Sequence, residues 1–146
     1  MEIFNRVAKF NYFIEEEIEC GIELLGYEVK SIRNGNCNIK DSYGVIKNNE
    51  VFLINMYIKQ YETTNSAFAL DESRMRRLLL HKKEISKLDE KVNREGFTLI
   101  PLKLYFKKNK VKVLLGICKG KKNYDKREVI KEREAKIRIN RELKNN

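Results

Sequence analysis

Histidine and cysteine are scarce in this sequence, and their scarcity argues against several kinds of site. The single histidine, His81, has no nucleophile or carboxylate at a recognisable catalytic spacing, so we expect it to start a helix or to pack. The three cysteines, Cys20, Cys37 and Cys118, are odd in number, far apart and in no CxxC pair. We therefore expect reduced thiols, with neither a disulfide framework nor a zinc site.

Long apolar runs and linkers are also missing. No apolar run approaches the roughly 18 residues that a membrane span needs. The N-terminal stretch MEIFNRVAKF lacks the apolar core and cleavage site of a signal peptide. No repeat and no Gly/Ser-rich linker divides the 146 residues, of which 42% are apolar. These features predict a cytoplasmic protein, one folded core and no bound cofactor or metal.

Charge is abundant and unevenly placed. The sequence has 31 Lys and Arg against 21 Asp and Glu, a net charge of +10. Residues 121–146 hold ten basic and five acidic residues, so half of the net charge lies in the last 26 positions. A basic surface of this kind favours nucleic acid as a partner, with an anionic membrane as a weaker alternative because the tail has no continuous apolar face.

Alternating apolar residues predict a protein built mainly of β-strands. Residues 10–20 alternate with period two, with Glu16 as the one polar interruption. Residues 42–58 and 98–119 each predict a hairpin, with turns at Asn48-Asn49 and Lys108-Asn109. The only proline, Pro101, lies within a predicted strand and indicates an edge or a bulge.

Two segments predict helices. The stretch GYEVKSIRNG predicts a short helix that Gly35 ends, with Val29 and Ile32 on its inner face. Residues 72–96 predict a helical insert that Gly96 ends. Five to seven short strands with such helices predict a small closed antiparallel barrel over residues 1–120. Residues 121–146 form a basic C-terminal tail that we expect to be disordered when free.

Three glutamates of the first predicted strand allow different interpretations. Glu15, Glu17 and Glu19 would project to one side about 7 Å apart on an extended strand. They are compatible with a solvated strand face or with a metal site, and the latter would suit a metal-dependent nuclease. A carboxylate facing RNA would instead accept hydrogen bonds from base amino groups.

Basic residues cluster in the first half of the predicted helical insert. They are compatible with a solvated helix face or with phosphate contacts, and they comprise Arg74, Arg76, Arg77, Lys82 and Lys83.

The stretch GKKNYDKRE gives the sharpest indication of RNA binding. Lys121, Lys122, Lys126 and Arg127 are ordinary phosphate ligands, and Tyr124 among them is suited to stacking on an unpaired base. Asp125 within such a cluster would orient an arginine or contact a base.

The motifs GYEVKSIR, LLLHKKEI and GKKNYDKRE, in this order, resemble those of the SsrA-binding protein (small protein B) family, the bacterial partners of transfer-messenger RNA. The similarity runs from about Asn5 to about Glu134. It implies an oligonucleotide-binding-type β-barrel with attached short α-helices and a basic C-terminal tail. The implied function is that of a non-enzymatic adaptor in trans-translation, the rescue of stalled ribosomes with tagging of the incomplete peptide.

The resemblance also assigns residues and partners. Asn5, Glu19 and Leu79 match family positions that hold the tRNA-like part of this RNA. Asp125, Lys126 and Arg127 match a tail motif that enters the decoding centre and the empty mRNA channel. Tyr124 matches a stacking position that is often histidine. Elongation factor Tu, within the aminoacylated complex, is a further implied partner, and a generic basic ribosome-associated protein is the alternative.

Overall fold

The computed structural model describes residues 2–60 and 72–120. Within these ranges the chain forms nine β-strands and three helices. The helices are α1 (Ala8–Asn11), α2 (Gly26–Arg33) and α3 (Lys82–Asn93). The strands are β1 (Glu2–Phe4), β2 (Tyr12–Ile22), β3 (Cys37–Asn38), β4 (Tyr43–Lys47), β5 (Glu50–Ile54), β6 (Tyr57–Ile58), β7 (Arg76–Leu79), β8 (Thr98–Lys107) and β9 (Lys110–Gly120).

Six strands close into an antiparallel barrel. They pair in the order β8-β4-β5-β7-β2-β9, and a further pairing of β9 with β8 completes the ring. β1 adds to the outside of β8, while β3 and β6 form a separate two-stranded sheet. The predicted fold class, a mainly β protein with a closed barrel and attached short helices, is confirmed. No helix of the described ranges combines the length and the apolar character needed to cross a membrane.

The predicted hairpin turns are confirmed by their backbone angles. Asn48 and Asn49 have φ of 53° and 61° between β4 and β5, and Lys108 and Asn109 have φ of 51° and 65° between β8 and β9. Two consecutive left-handed residues match the right-handed twist of the flanking strands, as in a type I′ turn. Gly35, with φ of 78°, follows α2 at the predicted left-handed position.

The helix predicted over residues 72–96 is only partly present. Its second half forms α3, but its first half forms the strand β7, which pairs with both β5 and β2. Burial alternates along this strand, since Arg76 and Leu78 are buried whereas Leu79 is exposed. Pairing on both sides therefore outweighs the helical character of the leucine run. The strand predicted over residues 10–20 is β2, and it starts at Tyr12 instead of residue 10, because α1 takes up residues 8–11.

Two bulges decide which side chains reach the core. The register shifts between Ile14 and Glu16 on β2, and between Pro101 and Lys103 on β8. An extra residue reverses the alternation of side chains beyond it. The main core accordingly takes Leu99 and Leu104, whereas Ile100 lies in a smaller cluster with Ala8 and Cys118. The predicted bulge at Pro101 is confirmed, but the single apolar face predicted for β8 is wrong.

Candidate nucleic-acid interface

The outer face of β2, β9 and β8 brings together a carboxylate, an aromatic ring and several lysines. Core residues such as Cys20, Val113 and Leu104 point into the barrel, so the residues that alternate with them point outwards. We call this surface the Glu19 face. It comprises Glu19 and Gly21 of β2, Lys110 and Lys112 of β9, Lys103, Tyr105 and Lys107 of β8, and Leu79 of the neighbouring strand β7.

Glu19 lies at the centre of this face and is held by two donors. The Tyr105 hydroxyl donates a hydrogen bond to one carboxylate oxygen, and the Lys107 ammonium donates to the other at 3.3 Å. The Tyr105 hydrogen bond, with smaller contributions from Lys107 and Lys112, lowers the pKa of Glu19. Burial and the same hydrogen bond raise the pKa of Tyr105. At neutral pH the tyrosine is therefore the donor and the carboxylate is ionised.

Leu79 is exposed, with 48% of its surface accessible, although it follows a buried leucine. Its strand pairs it with Gly21, and a Cβ on that glycine would lie 3.2 Å from the Leu79 Cβ. The missing side chain thus lets Leu79 lie close over β2. A pocket begins here, beside Glu19, which is not part of its lining. Its lining combines Gly21, Leu79, Asn109, Lys110 and Lys112 with the apolar Ile22, Leu24, Val29 and Val111.

Lys82 and Lys83 are the first residues of α3, and both are exposed. His81 precedes them, and its backbone N–H donates to the Glu84 carboxylate at 2.9 Å. This contact caps the helix, because a carboxylate in the first turn satisfies an otherwise unpaired N–H. The prediction that His81 starts a helix is confirmed.

Asn5 lies in an environment different from the one expected of a residue that contacts RNA. Its side chain is 7% exposed, and its amide nitrogen donates to the backbone oxygens of Ile39 at 3.3 Å and Pro101 at 3.1 Å. The amide therefore ties the segment after β1 to two other parts of the chain. A role of Asn5 in holding RNA stays a prediction, and the structure adds that its amide supports the backbone.

The arginines predicted for a solvated helix face are instead engaged in ion pairs. Arg76 is buried and pairs with the buried Glu28, which also pairs with Arg74. Arg77 donates to two acidic side chains, Glu23 at 2.6 Å and Glu50 at 3.1 Å. Because β7 is a strand with neighbours on both sides, its arginines meet carboxylates of adjacent elements, Arg76 in the interior and Arg77 at the solvent-exposed surface.

Two other glutamates of β2, Glu15 and Glu16, face α3. Glu16 pairs with Lys87 at 2.9 Å, and Glu15 lies 4.0 Å from Lys91. The bulge beside Glu15 interrupts the regular alternation that would align it with Glu17 and Glu19. Among the described residues no group of three His, Cys, Asp or Glu side chains is arranged to hold a metal ion.

The tail residues predicted to contact RNA lie outside the described ranges. They are Lys121, Lys122, Tyr124, Asp125, Lys126 and Arg127. The described chain ends at Gly120, the last residue of β9.

Sequence reasoning missed the residues that surround Glu19. Tyr105 and Lys107 lie 86 and 88 positions away, so only the barrel closure through β9 brings them to Glu19. The available signal was the alternation in LKLYFK, in which Lys103, Tyr105 and Lys107 share one face.

Comparisons with known proteins agree on one family. A model of the family described as SmpB protein matches residues 2–145. The chain is 54% identical over 142 residues to the SsrA-binding protein of Clostridium acetobutylicum. The alignment covers 97% of this chain and 91% of that protein. It is 56% identical over 140 residues to the SsrA-binding protein of Clostridium tetani, covering 96% and 89%.

A solved structure gives the same indication. One of its chains has a TM-score of 0.68 and 44% sequence identity to this protein, covering 82% of this chain and 84% of that one. That structure is described as "tmRNA-SmpB: a journey to the center of the bacterial ribosome".

Proposed function

The chain belongs to the SmpB protein family, and we propose that it is the adaptor that binds transfer-messenger RNA and brings its tRNA-like part to stalled ribosomes for trans-translation. The match over nearly the whole chain carries this proposal. The exposed Glu19 face on the barrel supports it, because it combines lysines for phosphates with a carboxylate for base edges.

Within this function the barrel and the tail would have different tasks. The Glu19 face, with Leu79 beside it, would hold the tRNA-like part, and Lys82 and Lys83 would add phosphate contacts from the start of α3. Asn5 would contribute indirectly, since its amide fixes backbone segments behind the surface.

The tail, residues 121–146, would enter the decoding centre and the empty mRNA channel. Its net charge of +5 suits an RNA-lined channel. Lys121 and Lys122 would bind phosphates, and Tyr124 would stack on a base. Asp125, Lys126 and Arg127 would make the specific contacts that signal a vacant channel.

The family is one of RNA-binding proteins, and we extend this to an adaptor that catalyses no reaction and acts in the cytoplasm. Contact with elongation factor Tu in the aminoacylated complex is part of the same proposal. The division into a barrel over residues 1–120 and a separate tail is likewise proposed.

A titration tests the central claim. The full chain is titrated with the tRNA-like portion of transfer-messenger RNA at two salt concentrations, with an ordinary tRNA as competitor. We expect tight binding that keeps its preference as salt rises, because shape and base contacts persist when phosphate contacts are screened. Binding that falls equally for both RNAs would instead favour a generic ribosome-associated protein.

A further inference from the structure

The two donors on Glu19 leave part of its carboxylate available. Each carboxylate oxygen has two lone pairs. Tyr105 uses one oxygen and Lys107 uses the other, so each oxygen retains the capacity to accept one more hydrogen bond. Glu19 is exposed on the outer face, which makes the remaining acceptor positions accessible to a ligand.

An apolar floor lies next to this acceptor. Gly21 is two positions along β2 on the same face, about 7 Å away. It has no side chain, and the Leu79 side chain packs over it with 48% of its own surface exposed. Because an added Cβ at Gly21 would lie 3.2 Å from the Leu79 Cβ, Leu79 already covers this backbone, and its exposed side is the apolar surface available to a flat ring.

Positive charge surrounds the floor on the other side. Lys110 and Lys112 line the pocket that begins at Gly21 and Leu79. Lys112 is close enough to Glu19 to lower the pKa of that carboxylate. The Lys108-Asn109 turn brings Asn109 to the edge of the pocket. Ammonium groups at this edge are suited to a phosphate that leads into or out of the pocket.

From this arrangement we propose that Glu19, the Gly21–Leu79 floor and the lysines of β9 form a site for one unpaired nucleotide, preferably guanosine, and that Tyr105 positions Glu19 for it. The inference rests on the proposed function, since it specifies what the Glu19 face recognises in the RNA.

The chemistry of the acceptor selects the base. An ionised carboxylate only accepts hydrogen bonds, so it fits base edges that carry hydrogens. Guanine presents two adjacent donors, its N1–H and its 2-amino group, which match the two carboxylate oxygens. Adenine and cytosine offer one amino group each, and the lone N–H of uracil lies between two repelling carbonyl oxygens. The base must be unpaired, because pairing engages these same hydrogens.

Tyr105 itself is braced by the N-terminal strand. The Lys103 ammonium lies 5.1 Å from the centre of the Tyr105 ring and 5.9 Å from that of Phe4. Glu2 pairs with the same ammonium at 3.5 Å. β1 thus helps to fix the lysine beside the tyrosine whose hydroxyl orients Glu19. Tyr105 is a positioning residue, whereas Glu19 is the residue that would touch the base.

The test couples changes in the protein to changes in the RNA. Full-length wild type, Tyr105→Phe, Glu19→Ala and the double variant are titrated with the tRNA-like portion of transfer-messenger RNA. The same RNA is then used with each unpaired guanosine replaced singly by inosine, which lacks the 2-amino group. Tyr43→Phe, at an exposed tyrosine of β4 outside the Glu19 face, is the control for loss of a hydroxyl.

We expect Tyr105→Phe to weaken binding by about 3- to 10-fold without changing the salt dependence, because no phosphate contact is lost. Tyr105→Phe should have little further effect once Glu19 is alanine. At one position inosine should cost wild type about fivefold and Glu19→Ala almost nothing. Tyr43→Phe should bind as wild type does.

Two results would overturn the inference. One is a Tyr105→Phe loss that is absent or that persists in full in the Glu19→Ala background. The other is an inosine series with the same costs in wild type and Glu19→Ala at every position. Failure of the proposed function is distinguishable, because wild type would then show no preference for the tRNA-like RNA over ordinary tRNA.

Discussion

Glu28 and Arg76 meet in a salt bridge of 2.6 Å with both side chains fully buried. Glu28 belongs to α2 and Arg76 to β7, so the pair joins a helix to the barrel wall. The Arg76 guanidinium also donates to backbone oxygens of Met56 and Glu72. One buried cation thereby fixes the backbone between β5 and β6 and the segment that precedes β7.

Removing one partner of this pair should be costly. In Arg76→Ala the Glu28 carboxylate stays buried without its one fully buried cation, so we expect the free energy of unfolding to fall by about 3–5 kcal/mol. Urea unfolding measures the loss. Arg77→Ala is the matched control, since its ion pairs are solvent-exposed and should contribute little to the free energy of unfolding. Equal losses of unfolding free energy in the two variants would contradict the conclusion that the buried pair is the costlier one to break.

The same carboxylate should make stability depend on pH. Burial alone would raise the pKa of Glu28, but the Leu25 N–H, Arg74 and Arg76 together lower it below its ordinary 4.5. A lowered pKa in the folded state means that the contribution is fully present above about pH 4.5 and is lost as pH falls through the folded value.

Urea unfolding of wild type and Glu28→Gln from pH 7 to pH 3 checks this pH dependence. The difference in unfolding free energy between the two proteins should be constant at high pH and shrink below about pH 4.5. A difference that stays constant down to pH 3 would mean that Glu28 does not titrate with folding.

Substitutions of the two adjacent leucines of β7 should have different effects, one on the stability of the fold and the other on RNA binding. Leu78 is 2% exposed, so Leu78→Ala should reduce the unfolding free energy by about 2–5 kcal/mol. Leu79 points to the opposite side, so Leu79→Ala should change stability by only about 0.5 kcal/mol yet weaken binding of the tRNA-like RNA. Urea unfolding and RNA titration of both variants provide the comparison. A stable Leu79→Ala protein with unchanged affinity would remove Leu79 from the interface.

The tail motif should be needed for tagging and dispensable for RNA binding. Replacing Asp125, Lys126 and Arg127 with alanines should leave affinity for the tRNA-like RNA unchanged and abolish addition of the peptide tag on stalled ribosomes. A control with Glu134, Lys136 and Arg138 replaced removes the same charges from another part of the tail and should retain tagging. Lost RNA affinity in the first variant would argue against separate tasks for barrel and tail.

Local signals predicted much of this fold because short-range chemistry determines it. Asn48-Asn49 and Lys108-Asn109 occupy left-handed turn positions that the sequence pattern identifies. Arg76 and the bulge beside Glu15 were not predictable in this way. A buried arginine depends on a partner 48 positions distant, and a bulge depends on the register with the neighbouring strand.

The candidate site was predictable to a similar extent. Glu19 was identified as a surface carboxylate, and Leu79 was identified through the family resemblance although its strand was mistaken for a helix. The expected role of Asn5 in holding RNA stays a prediction, and its buried amide supports the backbone. Tyr105 was missed because its role requires knowledge of which strands become neighbours.

The protected thiols make this protein convenient for site-specific labelling. Burial raises the pKa of each of Cys20, Cys37 and Cys118 to about 12. The thiolate is the species that attacks a maleimide, so all three should react slowly near neutral pH. A single new cysteine on an exposed turn would therefore carry a fluorophore selectively, with every native cysteine left in place.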